Sequence, residues 1–90
     1  MSATLFVRHT VADYDAWRKA YDDADSLRAT HGCSGQTVMR VPGDPNDVAA
    51  THEFPTLAQA EAFANDPALK AAMEQAGVTS PPRIEIFENA

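Results

Sequence analysis

The stretch LFVRHTVADYDAW, residues 5–17, contains the change of periodicity that decides the fold. Its first part is rich in β-forming residues and predicts a strand over Ala3–Thr10. From Asp13, a good N-cap, aromatic residues recur at helical spacing. The chain therefore passes from a strand into an amphipathic helix, and one histidine, His9, lies just before the change.

Cap and turn signals predict the remaining elements. Gly32 ends the first predicted helix, Thr56 opens a capping box that begins a second, and Asp66 with Pro67 begins a further helical stretch that ends at Gly77. The four predicted strands are residues 3–10, 36–41, 48–54 and 83–87, with a turn over 42–47. This βαββαβ order predicts one ferredoxin-like α+β domain over residues 1–90, an antiparallel sheet with helices on one face and strand 1 between strands 3 and 4.

The two faces of the predicted sheet differ in composition. Alternate residues of a strand point to opposite faces of the sheet. The more apolar set of alternate residues, which we expect to face the helices, comprises Leu5, Val7, His9, Met39, Val41, Val48, Ala50, His52, Phe54, Ile84 and Ile86. The other comprises Phe6, Arg8, Val38, Arg40, Thr51, Glu53, Arg83, Glu85 and Phe87. Because this second face mixes apolar side chains with charges of both signs, we expect a homodimer formed through it. A wet face with scattered apolar residues is the alternative.

Composition excludes several classes of function. The net charge is −6 and the basic residues are scattered, so we expect neither a nucleic-acid nor a membrane partner. No apolar run approaches the ~20 residues of a membrane span. The single cysteine, Cys33, rules out an internal disulfide and is typical of a cytoplasmic protein. No glycine-rich phosphate loop or convergent metal-ligand set is present, so the sequence predicts no metal site.

The chain resembles the dimeric α/β-barrel superfamily in its element order and in the stretches VRHTVADYDAWRKAY, HEFPTLAQAEAFANDPALKAAMEQAGV and PPRIEIFE. It is most similar to small proteins grouped with antibiotic-biosynthesis monooxygenases and often labelled cyclases. The resemblance implies two sheets paired into a barrel, with a small-molecule pocket between sheet and helices. It also implies a cyclase, isomerase or monooxygenase that acts without a cofactor on an aromatic or polyketide-like molecule. The shared motifs are structural and support the fold better than the chemistry.

His9 is the predicted catalytic residue. It lies at a strand end on the helix-facing side, where the following segment brings Tyr14 and Trp17 back over the same end of the sheet. An imidazole in an apolar, aromatic pocket can act as a general base on an acidic C–H or a phenol. We predict that Tyr14, Trp17, His52 and Met73 contact the substrate. A backbone-bonded histidine and plain core packing of the aromatic residues are the alternatives.

His9 and His52 are not expected to form a catalytic pair. If Leu5 opposes His52 on antiparallel strands, His9 opposes Val48, and four residues separate the two imidazoles by roughly 13 Å. A hydrogen bond reaches only about 3 Å. Two classes of function stay open, a cofactor-independent enzyme and a non-catalytic small-molecule-binding homodimer.

Overall fold

Four strands and four helices make up the computed structural model, which describes all 90 residues. In chain order they are β1 (Ala3–Thr10), α1 (Tyr14–Asp23), α2 (Asp25–Thr30), β2 (Gly35–Val41), β3 (Asp44–Phe54), α3 (Leu57–Ala64), α4 (Pro67–Gln75) and β4 (Arg83–Glu88). This is the βαββαβ order with each helical unit divided into two helices. The predicted ferredoxin-like α+β fold is confirmed.

The sheet has the strand order β2-β3-β1-β4, and β1 pairs antiparallel with both β3 and β4. Leu5 lies opposite His52, and His9 lies opposite Val48, which agrees with the register assumed for the two histidines. The helix-facing parity of the two central strands forms the core with residues of α3. This core comprises Ala3, Leu5, Val7, Ala50, Phe54, Ala60 and Phe63.

The hairpin between β2 and β3 is tighter than the predicted turn over residues 42–47. Val41 pairs with Asp44, so only Pro42 and Gly43 lie between the strands. Gly43 has φ +83°, a backbone conformation that glycine adopts without a steric penalty. Among the turn-forming residues that follow, Asp47 pairs with Thr10 of β1, and the Asn46 carbonyl accepts a hydrogen bond from Val11 N–H, so tertiary pairing overrides their weak local preference.

The predicted facing of β2 was wrong. Val38 lies opposite Ala50, so Val38 and Arg40 face the helices. Met39 points to the opposite face of the sheet, the face away from the helices that also carries Phe6, Arg8 and Phe87 and is called the open face below, and it is 42% exposed. The pairing register shifts between Arg40 and Val41. That shift comes after Arg40, so the wrong facing has another cause: Val38 and Met39 are both apolar, and hydrophobicity does not choose between them.

The first predicted helix is broken at Ala24. α1 ends at Asp23, and α2 begins at Asp25 and is followed by its C-cap His31. Carboxylates are unfavourable at the negative C-terminal end of a helix dipole and favourable at an N-terminus. The aspartates on both sides of Ala24 therefore favour ending one helix and starting another. None of the helices combines the length and hydrophobicity that crossing a membrane would require.

Charged side chains on the open face are paired within the chain. Arg8 donates two hydrogen bonds to the Asp47 carboxylate, at 3.1 and 2.9 Å. Arg83 Nε lies 2.8 Å from Glu85 Oε1, and the Thr4 hydroxyl donates to a Glu53 carboxylate oxygen at 2.8 Å. The open face thus presents internally compensated charges.

Candidate functional site

A cavity lies between the sheet and the helices. It encloses about 570 Å³ of space outside protein atoms, a volume that includes the open solvent at its mouth. Most of its lining is apolar and includes Leu5, Val7, Leu27, Phe63, Leu69 and Met73. Its polar side chains are His9, Tyr21, Arg28 and His52, with Trp17 beside them.

His9 reaches this cavity from the end of β1. The residue is only 5% exposed, and its ring meets Trp17 edge-on at 5.7 Å between centroids. Neither ring nitrogen has a hydrogen-bond partner in the protein. Burial lowers the pKa of His9 below 6.5, and the negative charge of Asp47 offsets this only in part. At neutral pH the ring is therefore uncharged and retains a free lone pair that can accept a proton.

Aromatic rings from α1 continue the wall beside His9. Trp17 and Tyr21, one helical turn apart, stack at 5.0 Å with an interplanar angle of 29°. Tyr14 lies 6.0 Å from Trp17 but does not line the cavity. Its ring lies under the Arg40 guanidinium at 4.2 Å, and its N–H donates to Asn46. Tyr14 is therefore a neighbour of the lining residue Trp17.

His52 lies farther along the sheet, opposite Leu5, and its Nε2 is 2.8 Å from the hydroxyl oxygen of Tyr21. Burial, reinforced by the positive charge of Arg28, lowers the pKa of His52 to about 4. Burial also raises the pKa of Tyr21 to about 12. Both groups are neutral at pH 7. Since His52 is engaged by Tyr21, it is less free than His9 to take a proton from a ligand.

Arg28 is the lining residue that sequence reasoning did not single out. It is 4% exposed, and its guanidinium carbon lies 4.0 Å from the centre of the Tyr21 ring. Its carboxylate partner is Asp25, at 3.6 Å. A signal was present, because position 28 continues the helical stripe through Trp17, Tyr21 and Ala24.

The structure brings four of the five predicted site residues to one cavity. His9, Trp17, His52 and Met73 line it, and Tyr14 does not. The separation of His9 from His52 follows from the predicted strand register. Their roles toward a substrate remain predictions.

Acidification is expected to destabilise the fold through His52. Its pKa is about 4 when folded and near 6.5 when exposed, so the unfolded chain binds the proton more tightly. This contribution is fully present above pH 6.5 and is lost as the pH falls to 4, about 3 kcal/mol in all. Denaturant unfolding at several pH values measures it. The His52→Gln variant should lose correspondingly less over the same interval, and an equal loss in both proteins would refute the assignment to His52.

No family model matches the chain, and no curated protein matches it in sequence. SnoaB from Streptomyces nogalater, described as a cofactor-independent oxygenase, matches with a TM-score of 0.79 and 14% identity, over 99% of this chain and 93% of that chain. A protein of unknown function from Nitrosomonas europaea matches with a TM-score of 0.76 and 24% identity, over 98% and 88%.

A third solved structure, described as an antibiotic biosynthesis monooxygenase, has a TM-score of 0.73 and 11% identity, over 98% of both chains. Likeness at these identities shows the fold and leaves the chemistry to the site itself. The ferredoxin-like fold of the single subunit, which the resemblance to antibiotic-biosynthesis monooxygenases implies, is confirmed.

Proposed function

We propose that the protein is a cofactor-independent enzyme of the antibiotic-biosynthesis monooxygenase or cyclase type, acting on a small aromatic or polyketide-like molecule in the cavity. The observation that supports this most strongly is His9, a buried imidazole whose two nitrogens have no protein partner. A buried polar group left unpaired costs stability, so its presence beside an open cavity favours a functional role. The oxygenase described in Streptomyces nogalater has the same fold.

The proposed chemical step is a proton transfer to His9. The imidazole takes the proton of a phenol, or of a carbon between two carbonyls, and the bonding electrons remain on the substrate as a phenolate or enolate. The stacked rings of Trp17 and Tyr21 offer a flat apolar surface for the ring system. Because burial disfavours the imidazolium, His9 returns its proton before the next turnover.

Three reactions begin with this anion, and they differ in its fate. Return of the proton to another atom is an isomerisation. Attack of the carbanion on a carbonyl of the same molecule, with the proton passed to the new alkoxide and the resulting hydroxyl then lost as water, is a cyclisation. Reaction with dioxygen as the co-substrate forms a carbon–oxygen bond and, with the proton returned, a hydroperoxide. Loss of its outer oxygen as water leaves a carbonyl at the same carbon, which is an oxygenation.

The test is incubation with a panel of polycyclic phenols and 1,3-diketones, with and without air, followed by mass spectrometry. We expect the protein to convert at least one compound that also quenches emission from Trp17, the only tryptophan. Unchanged mass, loss of water and gain of oxygen distinguish the three reactions. If compounds bind and none is changed, catalysis is refuted and the second candidate holds, a non-catalytic binding module. The cavity lining contains no carboxylate, which favours that candidate, because no carboxyl group of the lining can then act together with His9 in acid–base catalysis.

The assembly proposed for this function is a homodimer through the open sheet face. On that face Met39 is 42% exposed and Phe87 is 54% exposed, both large apolar side chains. The charged side chains beside them are already paired within the chain, so burying the open face in a dimer leaves few charged groups without a partner.

Sedimentation at micromolar concentration is expected to give the mass of a dimer, with at least ~1,000 Å² buried between the subunits. The Phe87→Glu variant should sediment as a monomer, whereas Ala16→Glu, an exposed position on α1, should remain dimeric. A monomeric mass for the unaltered protein would refute the proposal.

A further inference from the structure

Arg28 places a positive charge in the wall of the cavity that holds His9. Its side chain is only 5% exposed. The other titratable side chains of the lining, His9, Tyr21 and His52, are all neutral at pH 7. The lining contains no aspartate or glutamate. The interior of the cavity therefore has a net positive charge, although the whole chain has a net charge of −6.

The hydrogen bonds of this guanidinium are incomplete. Arg28 Nε is buried with no hydrogen-bond partner in the protein. Tyr21 covers one face of the group at 4.0 Å, which is a cation–π contact and satisfies no N–H donor. The Asp25 carboxylate lies 3.6 Å from one terminal nitrogen, and its side chain is 74% exposed, so water competes for it. A buried cation with so few hydrogen bonds lowers the stability of the fold unless a ligand supplies the missing acceptors.

We infer that the ligand of the cavity is an aromatic carboxylic acid whose carboxylate binds Arg28. The inference rests on the proposed function, because it names the substrate class of the same cavity. An arginine fork suits a carboxylate, since two parallel N–H groups can bind its two oxygens. The guanidinium lies over the Tyr21 ring, and that ring stacks on Trp17. The aromatic part of a ligand whose carboxylate binds Arg28 can therefore pack along these two rings.

The position of Arg28 also orients the ligand. Arg28 and His52 both contact Tyr21, and His52 lies opposite Leu5 on the sheet. Leu5 is four residues from His9 along β1, or roughly 13 Å. The carboxylate is therefore held near one end of the cavity, and the group that meets His9 lies toward the other. Arg28 acts as a specificity-determining residue, and His9 remains the residue that moves the proton.

Fluorescence titration of Trp17 with a matched pair of ligands tests this inference. At pH 7, 2-naphthoate is expected to bind roughly 10- to 100-fold more tightly than the neutral 2-naphthamide, the range for a hydrogen bond to a charged group. The Arg28→Met variant should lose this preference and still bind the amide. The Arg28→Lys variant should keep part of it. Asp25→Asn is the matched control, because it removes the exposed carboxylate that competes for Arg28, so the preference should be kept or increased.

Equal affinities for acid and amide in the unaltered protein overturn the inference, and so does an undiminished preference in Arg28→Met. If Arg28→Met fails to fold, the other two variants decide. The inference is then overturned if Asp25→Asn loses the preference for the acid, or if Arg28→Lys keeps that preference undiminished. Failure of catalysis gives a different result. Tight, Arg28-dependent binding of acids that are never converted refutes the enzyme and supports the carboxylate site, whereas no quenching by either compound overturns both.

Discussion

The His9→Gln variant is expected to turn over the substrate roughly 10²- to 10⁴-fold more slowly than the unaltered protein, the usual contribution of a general acid–base group. Glutamine can still form hydrogen bonds from this position, but it cannot accept a proton near neutral pH. Trp17 quenching should show substrate binding largely unchanged, because the aromatic surface is intact. The effect is therefore expected in kcat more than in KM, measured by steady-state kinetics on the compound converted in the panel.

The pH profile gives an independent readout of His9. Burial lowers its pKa below 6.5, so its basic form persists below that pH, and the acid limb of kcat/KM should lie below 6.5. His31→Gln is the matched control, because His31 bonds Asp66 outside the cavity lining. Turnover in that variant should stay close to the unaltered value. Equal turnover in His9→Gln, or an acid limb above pH 6.5, would refute the role of His9.

Replacing Trp17 by alanine is expected to lower the free energy of unfolding by about 3–5 kcal/mol, as large aromatic deletions do. Trp17 is 3% exposed and contacts Val11 and Val48 in a second small core. Its loss enlarges an existing cavity, which neighbouring side chains cannot fill by collapsing. Total stability is only ~5–15 kcal/mol for a typical domain, so the variant is expected to be partly unfolded at physiological temperature.

Urea unfolding monitored by circular dichroism measures the loss of stability, since Trp17 itself is absent from the variant. Lys19→Ala is the control on the same helix, where an exposed pair with Asp23 is worth at most about 1 kcal/mol. The unaltered protein should also show the short-wavelength emission of a buried tryptophan. A cost below about 1 kcal/mol for Trp17→Ala would contradict its place in the core.

The sequence by itself determined the order of elements and much of their pairing. Local signals with local causes are the β-forming residues 5–10, the caps at Asp13, Thr56 and Asp66, and the glycines that end helices. Topology rules then placed β1 between β3 and β4, and the parity of β1 placed His9 on the helix side. Register was only assumed from the sequence, and the pairing of Leu5 with His52 agrees with that assumption.

The facing of β2 was decided only by tertiary structure. Both parities of this short strand contain one or more apolar residues, Val38 on one and Met39 on the other, so hydrophobicity alone does not choose. Pairing of Val38 with Ala50 makes the choice. The break of the first helix at Ala24 is similar, since helical periodicity continues through it and only the aspartate charges oppose continuation.

The chemistry of the cavity also depended on tertiary structure. Position 28 lies on the apolar stripe of the first helical unit, but an arginine there reads as a surface residue until its burial and its contact with Tyr21 are known. The neutral states of His9 and His52 depend on burial, and burial is a property of the assembled layers. Spacing along the chain determines which face a side chain occupies, whereas the water and charges around it are set only when helices and sheet close over it.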